Sequence, residues 1–112
     1  MNTYPQATIR IELGPDKRLG PGKVRLLELV DKTGSISAAA REMKMSYRRA
    51  WLLIEELNGV FGKPVVETMA GGSGGGGAKV TLHGRSIIMA FRALESDFAK
   101  LIKARLRKFD TR

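Results

Sequence analysis

Residues 34–58 read GSISAAAREMKMSYRRAWLLIEELN, and their spacing decides the fold. Ala39 and Ala40 are small enough for one helix to let a second cross it closely. Ser46 then supplies a hydroxyl that can cap the free N–H groups opening that second helix. Ala50, Leu53, Ile54 and Leu57 follow at the spacing of one apolar stripe. Opposite the stripe lie Tyr47, Arg48 and Arg49, with Leu52, Glu55 and Glu56 further along, so aromatic and cationic groups gather at the helix's N-terminal end. That arrangement predicts a helix-turn-helix over 36–58, whose second helix enters a DNA major groove N-terminus first. Arginine there can bond a guanine edge through two donors or reach a phosphate; the spacing leaves both open, beside the bland alternative of a solvated basic face. Trp51 falls at the edge of the stripe and is expected to be mostly packed while also counted among the DNA-binding residues, in reach of the DNA backbone.

The flanks extend the pattern. Upstream, Val24, Leu27 and Val30, with Leu26 and Leu29 beside them, predict a broadly apolar helix from Pro21 to the stop at Gly34. Ala7, Ile9, Ile11 and Leu13 alternate with polar residues, predicting a half-buried strand over 7–13 that GPDKRLGPG ends. Ser35 or Ser37 is expected to cap the first motif helix, with Ile36, Ala39, Ala40 and Met43 inward. Lys44 and Met45 form the turn, and Lys44 stands where a left-handed backbone favours glycine; Ser35, Ser37 and Lys44 are also expected among the DNA-binding residues.

Downstream, the β-branched stretches Pro64–Met69 and Lys79–Leu82 predict two antiparallel strands, joined by the glycine-rich run at 70–78. This is a wing over 64–82. Gly72, Gly74, Gly75 and Gly76 can bring backbone N–H groups to phosphates or a minor groove with no side chain between, and Lys63 and Lys79 flank them. The run also contains Gly72-x-Gly74-x-x-Gly77, a formal dinucleotide-binding match. A strand-like KVTL follows it, where that motif needs a helix, so the match is rejected.

Thr81 can cap a last helix running toward Phe109. Ile87, Phe91, Leu94, Phe98 and Leu101 recur in it at four-three spacing, a seam that wants a partner. Packing of its first turns on the chain's own body is the alternative. The helix would outrun a small domain, which favours homodimerisation and a two-fold symmetric, palindromic operator. The sequence thus divides into a DNA-binding domain over 1–82 and a dimerisation helix over 83–112. The expected class is mainly α with a small β wing, a winged helix-turn-helix with a long C-terminal dimerisation helix.

Composition bounds the function. The chain has 112 residues and a net charge of +9, from 20 Lys+Arg against 11 Asp+Glu. That field attracts polyanions, and counterion release supplies affinity without sequence preference. With no cysteine and one histidine, His83, thiolate metal sites, thiol nucleophiles and histidine clusters are excluded. His83 is expected at a surface or helix start. Glu55 and Glu56 have no base or nucleophile organised beside them, so no enzyme activity and no cofactor are expected. No apolar run approaches the roughly 20 residues that span a bilayer, and MNTYPQAT lacks the order of a signal peptide. The expected location is cytoplasmic, with no membrane partner.

On GSIS at 34–37, SYRRAW at 46–51, ELN at 56–58, the wing GGSGGGGAKVT at 71–81, and Gly84, the chain resembles the N-terminal DNA-binding domain of the ModE-type molybdate-responsive transcription regulators, itself related to the LysR-type winged helix. The resemblance covers roughly residues 20–95. It implies a homodimer on promoter DNA, with Ser46, Tyr47, Arg48 and Arg49 toward the major groove and the glycine wing on the backbone or minor groove. The 112 residues hold no C-terminal oxyanion-binding module like that of full-length members, which puts a molybdate or tungstate response in doubt. A basic architectural protein binding any duplex, or a small oxyanion-responsive adaptor, are the competing functions.

Overall fold

The computed structural model describes residues 4–72 and 75–109. The chain opens with a short hairpin, β1 (Ile11–Gly14) and β2 (Lys17–Leu19). Three helices follow: α1 (Pro21–Thr33), α2 (Ile36–Glu42) and α3 (Tyr47–Val60). A second hairpin, β3 (Val66–Gly72) and β4 (Gly75–Val80), leads into α4 (Leu82–Leu106) and a 3-10 turn over Arg107–Phe109.

The first hairpin corrects the sequence reading. The expected strand over 7–13 begins only at Ile11, because only from there does the chain gain a partner, with Ile11 opposite Leu19 and Gly14 opposite Lys17. Pro15 and Asp16 make the turn, Asp16 at φ 58. Ile9 and Ile11 pack against the core as their alternation predicted, but Leu13 is exposed at the register shift.

α1 is the central helix. Pro21 begins it with a preset φ. Gly34 ends it at φ 70, its N–H bonded to the Val30 carbonyl at 2.8 Å, a left-handed cap that costs glycine no Cβ clash. Val24, Leu26, Leu27, Leu29 and Val30 are all buried. α2 starts where Ser35 accepts a hydrogen bond from the Ala38 N–H at 3.0 Å, and it buries Ile36, Ala39 and Ala40. The turn to α3 places Lys44 at φ 56, as the motif requires, and the Met45 N–H donates to the Ala40 carbonyl at 3.0 Å.

α3 buries Ala50, Ile54 and Leu57 with Leu53 half-buried beside them, so the predicted stripe faces α1 and α2. The wing strands pair Val66 with Val80 and Met69 with Gly77. Strand pairing runs further into the glycine-rich run than its composition suggested, up to Gly72 opposite Gly75. α4 is 25 residues, about 37 Å long.

Candidate nucleic-acid interface

The N-terminus of α3 is organised by one serine. Ser46 Oγ accepts from the Arg49 N–H at 3.1 Å, starting the helix so that Tyr47, Arg48 and Arg49 project away from the core, all exposed. Among the described residues neither arginine has a carboxylate within ion-pair distance. Tyr47 is 53 % exposed, and Trp51, one turn further along, is 40 % exposed. The expectation of a mostly packed Trp51 is therefore corrected: α3 turns its ring outward, beside Leu52, because the narrow Ala50–Ile54–Leu57 stripe meets the core without it. Lys44 and Ser37 are also exposed. Ser35 is half-buried, with its hydroxyl engaged in capping.

The wing base forms a second basic region. An open concavity of about 610 Å³ is lined by Lys63, Glu67, Lys79, Thr81, His83 and Arg85, among others. Lys63 and Lys79 are exposed. Lys79 sits across the ladder from Glu67, which partly offsets its charge, and Arg85 is held by Asp31 at 3.1 Å. His83 lies in the first turn of α4: its ring meets Phe61 edge-on, centroids 6.1 Å apart, and its Nε2 is buried without a hydrogen-bond partner among the described residues. The backbones of Gly72, Gly75 and Gly76 lie in the wing strands, while Gly74 lies outside the described residues. Among the described residues no group of His, Asp and Glu could hold a metal ion, and no helix is long and apolar enough to cross a membrane.

The five seam residues divide into two groups. Phe91 is 1 % exposed and belongs to the chain's own core, with Ile87 packed against that core. Phe91 is thus corrected from a dimer contact to an internal anchor that docks the first half of α4 on the domain. Leu94, Phe98 and Leu101 remain exposed, Phe98 at 43 % and Leu101 at 48 %.

Charge reinforces the docking of α4. Arg92 meets Glu28 of α1 through two hydrogen bonds, 2.7 and 3.0 Å, and its own helix's Glu95 at 2.8 Å. The hydrogen bonds from Arg92 hold the Glu28 carboxyl below its ordinary value, against the opposing effect of burial. The same pairing pushes the Arg92 guanidinium's pKa up, with burial again opposing.

Two residues that carry the resemblance have roles the sequence reading did not assign. Asn58 ends the apolar stripe of α3 and accepts, through Oδ1, from the N–H groups of Val65 at 2.7 Å and Val66 at 3.3 Å. A lone polar residue directly after buried Leu57 was the available signal. Gly84 lies in the first turn of α4 against the Val65 carbonyl, where a Cβ has no room. Its place in the sequence gave no hint of that approach, which exists only once wing and helix meet.

The three-helix core, the tight turn between α2 and α3, the hairpin behind them and the exposed cationic helix start define a winged helix-turn-helix. No family model matches the chain. It is 44% identical over 87 residues to the molybdenum-pterin-binding protein MopB of Rhodobacter capsulatus, covering 78% of this chain and 32% of that one. MopA of the same organism is 38% identical over 103 residues, covering 91% and 39%. The DNA-binding transcriptional dual regulator ModE of Escherichia coli is 36% identical over 91 residues, covering 80% and 35%. A solved LysR family transcriptional regulator superposes with a TM-score of 0.59 at 17% identity, covering 82% of this chain and 30% of its own, a likeness of fold. The chain is a winged-helix homologue of the ModE-type regulators and the Mop proteins, and it spans about a third of the length of these curated relatives.

Proposed function

We propose that this chain is the DNA-reading part of a transcription regulator that binds a two-fold symmetric site as a homodimer. The observation that carries the reading is the start of α3. There, a serine-capped helix holds Tyr47, Arg48 and Arg49 exposed, the arginines without carboxylate partners among the described residues. Such a helix end fits the major groove and presents donors to guanine edges or phosphates. Lys44 before it and Lys63 and Lys79 at the wing base supply backbone contacts, and the glycine wing lies along the backbone or minor groove. The regulator names and the LysR-type fold of the relatives support the same reading.

The dimer forms through the exposed half of α4. Leu94, Phe98 and Leu101 offer an apolar strip beyond the part of the helix that the domain itself covers. Two copies joined there present two recognition helices, which is why the site is expected to be palindromic.

The test separates base reading from charge. In the double variant Arg48→Ala, Arg49→Ala, affinity for a preferred duplex is expected to fall to that for a scrambled one. Alanine at Lys100, Lys103 and Arg105 should weaken both equally and flatten the salt dependence. Loss of preference from the tail changes, with preference kept in the arginine variant, would refute the groove assignment. Equal affinity of the unchanged protein for both duplexes would make it an architectural DNA-coating protein. Repeating the titration with molybdate decides the oxyanion question: the same affinity supports a winged helix that acts without the ion, and a shift shows a response.

A further inference from the structure

The wing is hydrogen-bonded to the rest of the molecule from three sides: α4, the α1–α2 junction and α3. On the α4 side, Thr81 donates its hydroxyl to the Pro64 carbonyl at 2.7 Å and its N–H to the Val65 carbonyl at 3.0 Å, while capping Gly84 at 3.0 Å. On the α1–α2 side, the Ala78 N–H donates to the Gly34 carbonyl at 3.0 Å. These bonds, with Val65, Val66, Ala78 and Val80 buried in the core, dock the hairpin on α1 and α4, but none of them ties it to the recognition helix. The tie to α3 is made by Asn58, whose Oδ1 accepts from the consecutive N–H groups of Val65 and of Val66, the first residue of β3. Val65 is fully buried and Val66 nearly so, so solvent does not compete for those donors.

We infer that Asn58 is the residue that sets the wing against the recognition helix, so that the two reach adjacent grooves of one duplex together. The inference rests on the DNA-reading proposal above and adds a positioning residue to it. Asn58 does not touch DNA. It acts by fixing where Lys63, Lys79 and the wing strands lie relative to Tyr47, Arg48 and Arg49. The chemistry needed is a side-chain acceptor of this length: the amide oxygen accepts two N–H donors, a carboxylate oxygen can do the same, and alanine cannot.

Hydroxyl-radical footprinting on a selected duplex, at protein concentrations that saturate it, reads this directly. Positions protected by the wing are first defined as those lost in Lys63→Ala, Lys79→Ala. Asn58→Ala is expected to lose the same positions while keeping those lost in Arg48→Ala, Arg49→Ala. Asn58→Asp is expected to regain them. Thermal melting accompanies each variant, and Asn58→Asp keeps the test decisive should alanine impair folding. In affinity, Asn58→Ala should cost roughly 5-fold or more in the unchanged background, and under 2-fold once both wing lysines are alanine, the non-additivity of residues acting through one element. Full wing protection in Asn58→Ala, or its loss in Asn58→Asp, overturns the inference alone. Absence of any lysine-dependent wing protection in the unchanged protein overturns the DNA-reading proposal for the wing and the inference with it.

Discussion

Replacing Gly84 with alanine tests how tightly wing and α4 are joined, because two opposing effects of the same methyl group can be weighed. Gly84 lies inside α4, where alanine is favoured over glycine by about 1 kcal/mol. Against this, the new Cβ would run into the Val65 carbonyl oxygen and lie 2.8 Å from Val80 Cγ1. The carbonyl has little freedom to retreat, since the Thr81 N–H holds it at 3.0 Å and Asn58 holds the N–H of the same residue. Overpacking of this kind costs about 1–3 kcal/mol, toward the upper end where backbone is struck. The net expectation is a loss of about 1–2 kcal/mol, or about 4–8 °C in Tm for a domain near this size. Gly59 provides the control. It lies within α3 with no atom within 4 Å of a built Cβ, so Gly59→Ala should raise Tm by up to about 4 °C. Thermal melting of the two variants beside the parent decides the matter. A Tm for Gly84→Ala at or above that of Gly59→Ala would refute the close approach of wing and helix.

Three further expectations follow from local geometry. Ser46→Ala leaves the Arg49 N–H without its 3.1 Å acceptor and should cost about 1 kcal/mol in denaturant unfolding; an unchanged midpoint would show that Ser46 does not cap α3. Lys44→Gly relieves a left-handed backbone at φ 56 and should add about 0.5–1 kcal/mol of stability. Under the proposed function it also weakens DNA binding evenly across sequences, so a change in sequence preference would assign Lys44 to a base instead. Glu28→Gln tests the tie between α1 and α4. Because the folded protein holds Glu28 below its ordinary value of 4.5, the pairing stabilises fully above that value and is lost as pH falls through the lowered one. Denaturation from pH 6 to pH 3 should therefore show a shallower acid loss in Glu28→Gln, by about 1 kcal/mol at most for a pair this exposed; an identical pH profile would refute the linkage.

What the sequence disclosed was whatever depends on neighbours along the chain. The stop at Gly34, the serine caps at 35 and 46, the left-handed turn at Lys44 and the stripe of α3 all rest on contacts within a few residues, and each is where its spacing placed it. The β1–β2 hairpin was missed because Pro15 and Asp16 were read as an end to the strand rather than as a turn returning a partner. Trp51 and Phe91 were misjudged because their periodicity fits two surfaces equally well. Only the tertiary packing shows that α3 meets the core without the indole and that α4 spends Phe91 on its own domain. The roles of Asn58 and Gly84 were unread for the same reason: both act on Val65, from α3 and α4 respectively, and although Asn58 breaks the α3 stripe, no local pattern says that three elements meet there.

The most direct measurement of the central claim is selection of duplexes from a random pool at physiological salt. The best selected sequence and a scrambled control are then titrated. The account predicts an inverted repeat, bound at least about 10³-fold more tightly than the control. Bound sequences with no common motif, and equal affinities for the two duplexes, would contradict it.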